Sequence, residues 1–251
     1  SVVTVVLLYL TGHILSFLSS ITVEKYSRWT LGFPSKYLFR KNRSSLIKSV
    51  FDLLREDKNK NVHWYKIRFI SRIFIRGVVT LFLLPLVGWD ILFRHIFQLK
   101  EQYARPFGDG CLPLIENGTN DFFKSISDKT GENLKNNGDY IDADYFRIIS
   151  HYVKENAPNH SGSINNYVTL YGFSRTTTLI LVISTWVSLC HCFMNGLFCD
   201  YFYIPISLSA FSFLMYMEFN KFYRKYSVEV FLALCTVYKK DGKEVGRGIS
   251  K

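Results

Sequence analysis

A chain of 251 residues that is 48% hydrophobic and 17% aromatic, yet 20% charged, fits neither a purely aqueous domain nor a bare membrane anchor. The net charge of +11 favours anionic partners such as nucleic acid, nucleotides or lipid headgroups, although excess Lys/Arg on a cytoplasmic membrane face gives the same sign. The cysteines are Cys111, Cys190, Cys192, Cys199 and Cys235; they are odd in number and form no C-x-x-C pair, which argues against a disulfide scaffold.

Residues 1–23 are uncharged apart from His13 and match the ~20 residues that cross a ~30 Å hydrocarbon core, so a transmembrane helix is predicted. Gly12, Ser16 and Ser19 fall on one face, where small side chains let helices approach in lipid. His13 suits either a gating group or a hydrogen bond to a neighbouring helix.

Residues 24–66 form a basic amphipathic segment. Arg28, Lys36, Arg40, Lys41 and Arg43 interleave with Trp29, Phe33, Tyr37 and Phe39. Such a pattern anchors a chain at the lipid interface, or holds a nucleic-acid strand by phosphate pairing and base stacking. Gly32, Phe33 and Pro34 read as a turn, and Ser44 or Ser45 could cap a helix through SLIKSVFDLLRED. Residues 62–99 make one long helical pattern whose short apolar part lies within 67–99. Arg68, Arg72 and Arg76 share a face, Pro85 predicts a kink and Gly88 a weak point. A tilted crossing, a pore-side helix and an interfacial helix all remain open.

Residues 100–174 carry more acids than bases and no span-length apolar run. They predict a small aqueous helical domain with helices in DFFKSISDKTGENL and ADYFRIISHYVKEN, the latter capped by Asp142, and a loop in APNHSGSINNY. It looks too thin to fold without the last helix or another subunit.

Residues 175–251 predict a membrane hairpin from two uncharged runs, Thr176–Cys199 and Tyr201–Met217. The second continues without a breaker through EFNKFYRKYSVEVFLALCTVYKK, then a flexible tail, DGKEVGRGISK. The expected fold is therefore all-α: a multi-pass transmembrane protein with a small cytoplasmic helical domain and a long last helix leaving the membrane. Its expected regions are 1–99, 100–174 and 175–251. Basic residues dominate both 24–76 and 218–251, which places both in the cytoplasm; four full crossings would separate them, so three or four crossings stay open.

No phosphate-binding glycine loop, zinc-protease, hydrolase or kinase signature is present, and the expectation is a non-enzyme without cofactor. Cys190, His191 and Cys192 are adjacent on a helix and point ~100° apart, so they do not converge on a metal. Asp139, Asp142 and Asp144 could approach a cation, or simply cap a helix and face water.

Polarity inside the hairpin is the stronger signal. Thr177, Ser184, Ser188, His191 and Asn195 share one face of the first helix. Ser209, Ser212, Tyr216, Asn220 and Tyr223 share one face of the second. Such faces line a water path or hydrogen-bond between helices. Glu24 and Glu218 end apolar runs, where repeated subunits would form acidic rings. One subunit has too few crossings to enclose a pore, so conduction requires a homo-oligomer. Candidate contacts for an anionic ligand are Lys36, Arg40, Lys41, Arg43, Lys221, Arg224 and Lys225.

The helix arrangement, the basic GFPSKYLFRKNR segment and the lack of enzymatic motifs give a layout that resembles bacterial anti-phage membrane effectors, nearest the DNA-oligomer-gated channels of Hailong-like defence systems. That resemblance covers the layout only and transfers no residue. It implies an oligomeric cation channel in a bacterial inner membrane, controlled by a nucleotide or oligonucleotide from a cytoplasmic signal-producing partner. A non-conducting anchor that assembles a cytoplasmic partner is the competing expectation.

Overall fold

A computed structural model describes residues 1–39, 62–95, 97, 105–130, 143–195 and 201–247. Among these the structure is all-α, with no strand. The helices are α1 (Val2–Ser19), α2 (Lys25–Thr30), α3 (Pro34–Leu38), α4 (Val62–Phe82), α5 (Leu84–His95), α6 (Leu112–Thr130), α7 (Ala143–Asn156), α8 (Pro158–Met194) and α9 (Tyr203–Arg247). Val2–Leu38 and Pro158–Met194 are long and apolar enough to cross a membrane, and the bent pair α4–α5 would make a third span. By length and composition α9 does not join them, because Ser207, Ser209, Ser212 and its tyrosines dilute its apolar run.

Local chemistry explains the breaks. A π-helical turn, Ser20–Glu24, joins α1 to α2. Around it the hydroxyls of Ser19, Ser20 and Thr22 donate to the carbonyls of Ser16, Phe17 and Leu18 at 2.7–2.8 Å. Such back-bonding competes with the regular ladder and favours a local widening of the helix. Gly32 ends α2 with φ of 85°, a value that favours glycine, and its N–H closes the last turn onto the Arg28 carbonyl at 3.1 Å. Phe33 is extended, as a residue before proline must be, and Pro34 opens α3.

The predicted Pro85 kink lies two residues earlier, at Leu83, where the helix axes differ by 87°. Pro85 instead occupies the first turn of α5, where no backbone N–H is needed. The Leu86 N–H turns to the Leu83 carbonyl at 2.9 Å, which releases the Phe82 carbonyl. The Trp186 indole N–H takes up that carbonyl at 2.7 Å. Similarly, the Pro85 carbonyl accepts from Ser209 at 2.8 Å.

Two further expectations change. APNHSGSINNY is helical from Pro158 onward: Pro158 is preorganised for a first helical position, and Ile164 is fully buried on the helix it starts. The tail is helical to Arg247. The expected Ser44/Ser45 helix and the Asp142 cap lie outside the described residues.

Two compact units divide the chain. The first draws on Ser1–Gly32, Ser44–Tyr103 and Leu170–Lys221. Its centre holds Tyr26, Tyr216, Phe219, Leu83, Leu86 and Leu179. The second draws on Phe33–Arg43, Ala104–Thr169 and Phe222–Lys251. There α6 and α7 do not close a core alone; Phe231, Ala233 and Leu234 of α9, Leu38 of α3 and Phe39 just after it complete it. Phe231 meets Phe39 edge-on at 5.0 Å and Phe146 at 5.5 Å, and Phe122 meets Tyr152 at 4.7 Å.

Candidate functional site

In the first unit the charged groups gather where the apolar runs of α1, α8 and α9 end. Arg175 precedes the uncharged part of α8. Its Nη1 pairs with a Glu24 carboxylate oxygen, its Nε donates to Ser19 Oγ at 3.1 Å, and its Nη2 reaches the Ser16 carbonyl at 3.4 Å. Glu24 also accepts from Arg28 at 2.9 Å. Ser174 donates to Glu218 at 3.3 Å. The layer continues inward: Ser27 donates to Asn220 at 2.5 Å, and the Thr30 and Tyr216 hydroxyls lie 3.4 Å apart.

A second cluster centres on buried Asp90 of α5. It accepts from the Tyr26 hydroxyl at 2.6 Å and from Arg94 one turn on, through Nε at 2.9 Å and Nη2 at 2.6 Å. An acidic side chain buried in an apolar unit is unfavourable unless its oxygens are met by such donors. Arg94 follows at i+4 because helical spacing puts both on one face.

The proposed α9 face turns into this packing. Ser209 is buried, accepts from Trp89 at 2.8 Å and donates to Pro85. Ser212 is fully buried and donates to the Ser209 carbonyl at 2.7 Å. Tyr216 and Asn220 are buried in the layer described above. Beside Ser209 lies an apolar cavity of about 180 Å³ walled by Leu84, Trp89, Trp186, Leu189, Phe202 and Ile206. Glu218 is half-buried.

The α8 face behaves differently along its length. Thr177, Ser184 and Ser188 are half-buried, whereas His191 and Asn195 are exposed. The Asn195 amide lies 3.2 Å from the His191 ring and donates to its carbonyl at 3.0 Å. Cys190 is exposed, while Cys192 is buried against the Tyr201 carbonyl, so the Cys-His-Cys run splays apart. Among the described residues no three His, Cys, Asp or Glu side chains could share a metal ion. His13 is exposed, its ring 4.5 Å from Tyr9.

Of the basic candidates, Lys36 is half-buried on α3 and Lys221 is exposed. Arg224 donates twice to the Arg105 carbonyl, at 3.2 and 3.0 Å, and Lys225 lies 5.8 Å over the Tyr167 ring. Arg40, Lys41 and Arg43 lie outside the described residues, as do Asp139 and Asp142. Outside the spans, burial pushes the Cys235 thiol up.

Sequence reasoning passed over Asp90, Arg94 and Arg175. The available signals were a lone acid with an arginine at i+4, and an arginine set at the very edge of an apolar run. No protein-family model, curated protein or solved structure matches the chain.

Proposed function

We propose that the chain is one subunit of a homo-oligomeric membrane channel, with the α8 face lining a cation path and an anionic nucleotide or oligonucleotide gating it from the aqueous side. The observation that carries this reading is the exposed His191–Asn195 pair, in line with Ser188 and Ser184, on a helix long and apolar enough to cross a membrane. Polar groups are unfavourable toward lipid, so this face calls for water or another subunit. Gating requires a ligand that binds open and closed states with different affinity. The layout-level resemblance to anti-phage effectors supports the choice of ligand class and a role in defence.

The α9 face favours a second reading, a non-conducting anchor for a cytoplasmic partner, because Ser209, Ser212 and Tyr216 satisfy their polar atoms within the chain. One pair of measurements separates the two. A channel gives a multimer in detergent and cation flux in liposomes, sensitive to Ser188→Leu and His191→Leu. A monomer or dimer whose liposomes leak no more than empty ones, with nucleotides and short DNA or RNA oligomers added, sinks the channel.

A further inference from the structure

Arg76 faces inward on α4, on the same side as buried Val79 and Leu83, opposite exposed Ile70, Phe74 and Leu81. Its guanidinium carbon lies 5.2 Å above the Trp29 ring. Its Nη1 is buried and meets no hydrogen-bond acceptor among the described residues. Leaving a charged donor unmet is unfavourable. The carboxylate nearest Trp29 in sequence, Glu24, is already held by Arg28 and Arg175. A tryptophan under an arginine, where apolar helix gives way to charge, has the chemistry of the lipid headgroup zone. A phosphate oxygen supplies the charge-assisted acceptor that a guanidinium fork matches.

We infer that Arg76 and Trp29 bind the phosphate of an anionic phospholipid, which completes the hydrogen bonding of Arg76 and fixes α4 to α2. This rests on membrane residence and holds whether or not the chain conducts.

The test uses the full chain in detergent, with lipid retention read by native mass spectrometry and stability by thermal midpoint. Wild type should retain phosphatidylglycerol over phosphatidylcholine by roughly tenfold and gain stability from the former alone. Arg76→Gln should abolish the preference, Arg76→Lys should keep part of it, and Lys154→Gln, at an exposed base of α7, should leave it intact. Three results overturn the inference: wild type showing no headgroup preference, which needs no variant to establish; Arg76→Gln keeping the preference; and millimolar inorganic phosphate alone giving the full stabilisation, which makes the source a soluble phosphate.

Discussion

At the scale of single residues, the strongest commitments of the first unit are its enclosed charges. Asp90 holds Tyr26 and Arg94 together, and removing it strands a largely buried guanidinium. Asp90→Leu should therefore destabilise by about 3–5 kcal/mol, more than Asp90→Asn, which keeps an acceptor for Tyr26. Unfolding in graded denaturing detergent reads the difference. Cys235 offers a milder test in the second unit. Its thiol is held up by burial, whereas Cys111 is exposed. Maleimide at neutral pH should label Cys111 well before Cys235, and the gap should narrow as pH rises and the thiolate forms.

At the scale of elements, the bend at Leu83 depends on a carbonyl satisfied from another helix. Trp186→Phe keeps an aromatic ring but removes that donor and part of the indole volume, so a loss of about 1–3 kcal/mol should appear as a lower thermal midpoint. In α6, a side-chain carbon added at Gly118 would come within 3.1 Å of the Cys235 sulfur. Gly118→Leu should destabilise by about 1–3 kcal/mol through overpacking, while Gly118→Ala needs only a small shift of a flexible thiol. Helix content was plain in the sequence: α1, α7 and the unbroken course of α9 follow from apolar spacing and the absence of breakers. The start of α8 was not, because polar, glycine-containing composition suggests a loop unless one knows that Ile164 finds a core. The Leu83 break was displaced from Pro85 for a similar reason. Proline marks where a helix is weakened, but the partners Trp186 and Ser209, more than a hundred residues away, decide where it bends.

At the scale of the molecule, the aligned polar residues of α8 and α9 were readable as stripes at helical spacing. Their destination was not, since one periodicity serves both packing and a water path. Only the packed chain separates Ser212, enclosed, from His191, exposed. The channel and the anchor therefore differ most at the C-terminal end of α8, and the flux measurement with Ser188→Leu and His191→Leu tests that end. The charge clusters could not be read either, because Glu24 and Arg175 meet across 151 positions.

That separation also sets an order of events during synthesis. The chain is made from its N-terminus, so Glu24 exists long before Arg175. Until then Arg28, one turn away, is the partner that holds it among the described residues. Asp90 likewise has Tyr26 and Arg94 early, but Ser27 waits for Asn220. The first unit thus closes only after Lys221 has been made. A nascent chain arrested before residue 175 should leave the Ser20–Glu24 end of α1 open to protease, and protection of that end should appear only once α8 arrives.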